Sequence, residues 1–566
     1  MYLASYLTRP GAVIVPQEAR VGKEHEGPTG GSALRLRLEP SSYFATLRDF
    51  LRRSEFNEPS ICRRAGVVGL NDFLSDDRLR ITPSGELDGL GALVRLFLVG
   101  EPLGVEALES VIPAGALEAM KALGLLIQDP ADYPPPLATL PNGGGGPGVG
   151  RAAIMWASVA LYPVGRLFIV SDRWITPQGE VSAPPEDFVF PALTANTAQF
   201  IATLPWDACE NFLELCSGTG VAAMAAAGRA DHAWAVDITQ RSTQMAEFNR
   251  LLNRIQNVTP IQGDLYECLG DLTFDRIVAH PPYMPVLNPT QAFYDGGVDG
   301  EQVTRRIVMG LRRRLRPGGR FYCLAQGSDR DGAPFELRVR AWLGEVEEEF
   351  DVLLIVRATQ APADAAMQYA VKSKGGGLAA NQMRKALGDL HIQRMVYGWM
   401  VIQRREEARP VFTVRRSIGS HSGKDEIAWL LKWEAAAAKP GFIDLLAEAR
   451  PVTVPSLRFH TIHRMKEGDL LPEEFSLQTE YPFSVDLRVQ PWMGFLLPQC
   501  DGKLTVGQLL EFCKQHSFIR SETPLAEFAK LLMVFIANGF LEVEGFELPK
   551  NARQSRGPAL LGTEPV

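Results

Sequence analysis

An apolar run that ends in a carboxylate and breaks into a double-glycine bend, Asn211-Phe-Leu-Glu-Leu-Cys-Ser-Gly-Thr-Gly-Val221, leads straight into an alanine-rich helix reaching Ala227. No other segment limits the fold as tightly. A strand closing near Glu214 can pass at once into a helix only if the bend tolerates unusual dihedrals, which Gly218 and Gly220 supply. Such a bend brings bare backbone and a helix N-terminus to one sheet edge, where a nucleoside-bearing ligand can lie against main chain. The next apolar strand, His232-Ala-Trp-Ala-Val-Asp-Ile238, closes on Asp237, 17 positions after Gly220. A second carboxylate is therefore expected at the tip of the neighbouring strand, where it can accept both hydroxyls of a ribose. A helix with Met245, Phe248, Leu251, Leu252 and Ile255 on its buried face follows. The strand around Val258 to Ile261 then brings Asp264 and Leu265 to the same edge, the carboxylate placed for an adenine amino group. With Ala223 in the last place, the bend also fits the dinucleotide-binding pattern, so a nicotinamide cofactor stays open at this point.

From 151 to 417 short β-branched and aromatic runs alternate with helical patterns, which predicts an α/β unit around a mainly parallel, Rossmann-like sheet. Strands at Arg320 to Ala325, Asp351 to Ile355 and Met395 to Ile402 are expected to complete it. The 566 residues leave room for flanking units. Residues 1–40 read as a flexible lead-in and 41–133 as a helical domain with Phe44, Leu47, Phe50 and Leu51 on one face. The proline- and glycine-rich 134–150 reads as a linker, 418–550 as a C-terminal domain and 551–566 as a tail. Both flanking units close on a helix, a glycine (Gly124, Gly539) and a short strand. That ending resembles a winged-helix module and would offer a surface for substrate or partner; the plainer reading is two helical packing domains.

Composition serves to exclude. With 46% hydrophobic residues and 58 basic against 66 acidic side chains, the chain is globular and lacks the cationic excess that extensive DNA binding requires. Its seven cysteines are scattered, which fits a reducing cytoplasm. The apolar stretch 152–165 is broken by Pro163 and no leader precedes it, so neither membrane span nor export is expected. His460 with His463 and Cys513 with His516 each offer one ligand pair without a second, so no metal is expected.

The strand Phe274 to Ala279 runs into His280-Pro281-Pro282-Tyr283. Two prolines fix the chain so that a carbonyl near Pro281 faces inward, unclaimed by local secondary structure. With the side chain at 280 it can hold substrate N–H groups and aim a delocalised, weakly nucleophilic nitrogen, while Tyr283 stacks on the planar group. With the glycine bend, Asp237, Gly263-Asp264-Leu265 and the later Asp295-Gly-Gly-Val-Asp-Gly300, this motif resembles class I S-adenosylmethionine-dependent methyltransferases. Among them it is most similar to those with an (Asn/Asp/Ser)-Pro-Pro-(Tyr/Phe) motif, such as release-factor glutamine methyltransferases and small-domain ribosomal RNA guanine methyltransferases. The resemblance covers about 200 to 330, weakens to 417, and departs in two places. Cys216 stands where the family has its first glycine, and His280 replaces Asn, Asp or Ser.

The resemblance implies a seven-stranded methyltransferase sheet and S-adenosyl-L-methionine held by Glu214, Cys216, Gly218, Gly220, Asp237, Ile238, Asp264 and Leu265. It implies methyl transfer to a nitrogen at His280, Pro281, Pro282 and Tyr283, the acceptor being protein, RNA or small molecule. His280 could instead act as a general base. A silent methyltransferase-fold adaptor and a nicotinamide oxidoreductase are the alternatives. The segment 288–300 reads as a hinged lid, and Arg305, Arg306, Arg312, Arg313, Arg314 and Arg316 as a solvated helix face with phosphate contact as the rival reading.

Overall fold

Helix Ser41–Arg53 begins with the first apolar stripe and buries Phe44, Leu47, Phe50 and Leu51. The computed structural model describes residues 34–549 apart from 75–80, 82, 129–152, 174–184, 290, 374 and 420–421. Most of the lead-in, the linker 134–150 and the tail lie outside the described residues. Short strands β1 (Leu103–Gly104), β2 (Leu126–Ile127) and β3 (Ile154–Ala157) form a small antiparallel sheet in the order β1-β3-β2. This sheet straddles the expected boundary at 151. β3 follows the linker, yet it pairs with β1 and β2 of the unit before it, with Met155 and Ala157 buried. The hairpin β4 (Ala160–Val164) and β5 (Leu167–Ser171) comes next and packs on helix Gln240–Leu252 rather than joining the main sheet. The first strand of the main sheet begins at Cys209.

That sheet is built from β6 (Cys209–Leu215), β7 (Ala230–Asp237), β8 (Val258–Gln262), β9 (Phe274–Ala279), β10 (Leu315–Arg330), β11 (Phe350–Gln360) and β12 (Ile392–Arg404). Their spatial order is β8-β7-β6-β9-β10-β12-β11, all parallel except β12, which runs antiparallel between β10 and β11. The fold is the expected Rossmann-like α/β one. Reversal of strand order at β6 and β9 opens a crevice at the carboxyl ends of the strands, where ligands of such sheets bind. One face buries Leu213, Phe274, Ile277, Phe321 and Met400 against Ile307, Leu311, Phe335 and Val339 of the crossover helices. Helices Val221–Ala226 and Gln240–Leu252 pack on β6 and β7.

The sheet does not stop at seven strands. β13 (Thr413–Ile418) pairs parallel to β11, and after a helix at Lys424–Ala437 the chain adds β15 (Arg458–Lys466), β16 (Asp469–Thr479) and β17 (Phe483–Arg488) as an antiparallel extension. β14 (Val452–Thr453) pairs with β18 (Leu541–Glu542). Helix Leu525–Ala537 buries Phe528, Leu532 and Phe535 and is stopped at Gly539, whose φ of 71° mirrors the 74° of Gly124. Among the described residues no helix is long and apolar enough to cross a membrane.

Candidate functional site

The bend after β6 alternates left-handed residues: Cys216 at φ 53°, Gly218 at 50° and Gly220 at 73°. A Cβ on Gly218 would meet nothing within 4 Å, whereas one on Gly220 would come within 3.1 Å of Ala246 and 3.2 Å of Met224. Gly218 thus leaves the space above the bend clear, and Gly220 lets the helix dock. Cys216 carries the cost of a Cβ in the left-handed region and turns its sulfur into the apolar core, where burial holds the thiol well above its ordinary pKa. A protonated thiol is a poor nucleophile.

Each expected carboxylate has a partner. Glu214, 3% exposed, accepts from the amides of Ala222 at 3.2 Å and Ala223 at 2.7 Å. Burial pushes its pKa up to about 8 while those N–H groups pull the other way. Asp237 accepts from the Gly218 amide at 2.8 Å through one oxygen and from the Thr239 amide and hydroxyl at 3.0 and 3.2 Å through the other. It thereby ties the bend to the tip of β7. Asp264 pairs with Arg306 at 2.9 Å. Ile238 stays 56% exposed beside them, while Leu265 is buried at φ 51°.

At the end of β9, the His280 ring lies between Phe200, 5.5 Å away, and Tyr283, 5.8 Å away and nearly parallel at 22°. Burial pushes the imidazole down to about 4, which favours the neutral ring at physiological pH and weakens it as a base. The Tyr283 hydroxyl accepts from Asn196 Nδ2 at 3.2 Å, and its ring meets Tyr397 at 5.5 Å.

The described part of the segment read as a hinged lid is hydrogen-bonded to the motif. Met284 donates to the Tyr294 carbonyl at 3.1 Å, Gly296 to Met284 at 2.9 Å and Val286 to Gly297 at 3.0 Å. A Cβ at Gly300 would stand 2.4 Å from the Tyr283 carbonyl oxygen, so this glycine serves close approach. Behind it the fully buried Glu301 binds Ser328 at 2.7 Å, Arg338 at 2.8 Å and Arg330 at 3.1 Å. The phosphate reading of the arginine run finds no support at Arg305, Arg306, Arg314 or Arg316. They are held by Asp299, Asp264, the Leu272 carbonyl and Asp275 respectively.

Of the twelve expected site residues all but Gly220 share one cavity: Glu214, Cys216, Gly218, Asp237, Ile238, Asp264, Leu265 and His280 to Tyr283 line a space of about 440 Å³. Gly220 sits beneath it. The sequence reading missed the opposite wall. Phe293 meets Phe188 at 5.3 Å, tilted, and stacks on Phe190 at 5.7 Å there, and Lys372 lies 4.7 Å over the Tyr294 ring. Asn196, Thr197 and Phe200 of helix Ala195–Thr203 supply the rest. The i, i+4 spacing of Asn196 and Phe200 was the available signal.

A family model described as methyltransferase small domain matches residues 180–331. A ribosomal protein uL3 glutamine methyltransferase of Bradyrhizobium diazoefficiens is 33% identical over 165 residues, 27% of this chain and 52% of that protein. Release factor glutamine methyltransferases of Geobacter sulfurreducens and Moorella thermoacetica are 37% and 34% identical over 119 and 147 residues, which are 19% and 23% of this chain and 42% and 51% of theirs. The chain thus spans about half the length of these relatives.

Proposed function

We propose, on the premise that the chain carries a class I S-adenosylmethionine-dependent methyltransferase domain of the glutamine-methyltransferase type, that it N-methylates the side-chain amide of a glutamine in a protein. The observation that carries this reading is the convergence of the glycine bend, Asp237, Asp264 and His280 to Tyr283 on one cavity. S-adenosyl-L-methionine fits the open space over Gly218, and when bound supplies a methyl group on a sulfonium.

The residues divide the work. Asp237 keeps lone pairs for ribose hydroxyls beside its bonds to Gly218 and Thr239. Ile238 and Leu265 offer apolar flanks for an adenine, and Asp264 an acceptor at its rim. Glu214 acts from beneath by fixing the first amides of the helix. On the acceptor side an amide nitrogen has its lone pair delocalised, so the gain comes from holding it in line and dry, worth about 7 to 11 kcal/mol in favourable cases. The motif's backbone carbonyl and the neutral His280 receive the N–H groups, Tyr283 stacks on the amide plane, and Phe188, Phe190 and Phe293 exclude water. The three relatives act on proteins by name, which favours a protein acceptor over RNA or a small molecule.

The test is to incubate the purified chain and a cell lysate with methyl-labelled S-adenosylmethionine and to separate protein, RNA and small molecules. Label in protein that appears as N-methylglutamine after enzymatic digestion is the expected result. Label confined to RNA or small molecules would reassign the acceptor. His280 in the motif favours one second reading, a silent adaptor; it would bind S-adenosylmethionine and label no fraction.

A further inference from the structure

We propose that Asn196, outside the Pro-Pro motif, is a catalytic residue whose carboxamide supplies the further polar contact to the acceptor amide that His280 and the motif's carbonyl leave unmet. The inference rests on the amide-methylating reading above. Helix Ala195–Thr203 starts at the cavity, and its capping need is met by Thr194, whose hydroxyl accepts from the Thr197 amide at 3.3 Å. Asn196, in the first turn, is therefore free of the local capping that usually explains Asn at a helix start. Its Nδ2 reaches 87 positions along the chain to the Tyr283 hydroxyl at 3.2 Å. One turn later Phe200, 2% exposed, packs its ring 5.5 Å from that of His280. One helix face thus grips both ends of the motif.

The chemistry at each end differs. His280 is wedged between Phe200 and Tyr283, and a neutral imidazole offers one donor and one acceptor. A primary amide presents two N–H groups and a carbonyl, so His280 and the motif's main-chain carbonyl leave it short of a partner. Asn196 lines the cavity and uses one N–H on Tyr283. Its Oδ1 and second N–H remain, the same pair of functions that an Asn at 280 would present. Through Tyr283 it also sets the ring that stacks on the acceptor.

The test compares wild type, Asn196→Ala, Asn196→Asp and the double variant Asn196→Ala with His280→Asn. Each is measured for S-adenosylmethionine affinity by calorimetry and for label transfer into the lysate protein fraction. Asn196→Ala should bind the cofactor as wild type does and transfer methyl about tenfold or more slowly, the loss of one hydrogen bond to a polar acceptor group. Asn196→Asp, which keeps an acceptor, should fall less, and the double variant should regain most of the rate. Unchanged transfer by Asn196→Ala, or equal losses in both single variants with no recovery in the double one, overturns the inference and leaves the amide-methylating reading intact. If Asn196→Ala fails to fold, the folded Asn196→Asp decides: transfer as slow as background overturns the acceptor role. A wild type that transfers nothing to protein brings down the parent reading instead.

Discussion

His280 is central to the proposed chemistry, and its titration gives a stability signature. Burial lowers its pKa from the usual 6.5 or so to about 4. The unfolded chain therefore takes up a proton between those values and the folded chain does not, so stability falls as pH drops from about 6.5 to about 4, by at most ~3 kcal/mol. His280→Asn should flatten that acid-side decline in chemical denaturation; an unchanged slope would mean the imidazole is solvated. At this scale much of the site is legible in sequence. Glycines in a bend, carboxylates at strand tips and two consecutive prolines each have one local physical explanation, and those positions do meet at one cavity. What stays hidden is how lone pairs are shared. Glu214 reads from sequence as a ligand carboxylate, and only the fold brings the Ala222 and Ala223 amides onto it. Asn196 has no motif of its own because its partner lies 87 positions away.

Among elements, β12 is paired along both edges, running antiparallel between β10 and β11. Its Gly398 faces a register shift between Val356 and Ala358, and an added Cβ would lie 2.1 Å from the Ile355 carbonyl oxygen. Main chain cannot give way there as a flexible side chain could. Gly398→Ala should cost about 3 kcal/mol or more in urea denaturation, at the upper end of overpacking penalties; a loss below about 1 kcal/mol would show that the two strands can part locally. Strands of the parallel core are legible because they are buried on both faces and read as apolar runs. β15 and β16 are not, since most of their residues face solvent and their alternation carries no core signal. β3 escapes for another reason: a two-residue partner on either side leaves no pattern to read.

Over the whole molecule, the N-terminal segments are bonded into the site's scaffold. Phe44 meets Phe248 edge-on at 4.9 Å and Arg48 donates to the Leu252 carbonyl at 3.0 Å. The fully buried Asn249 accepts from the Val170 amide at 2.7 Å and donates at 3.1 Å both to the Val170 carbonyl and to that of Thr219 in the glycine bend. Asn249→Ala strands buried backbone groups at about 1 to 3 kcal/mol each. It should lower the denaturation midpoint and weaken S-adenosylmethionine binding together; a stability loss with unchanged affinity would uncouple hairpin and bend.

The central claim is that the glycine bend and Asp237 form the grip for S-adenosylmethionine, and calorimetric titration of the cofactor into wild type and Asp237→Ala tests it most directly. Saturable binding by wild type, weakened about tenfold or more in the variant through loss of a charge-assisted hydrogen bond, is the predicted result. No binding by wild type, or equal affinity in both proteins, would contradict it.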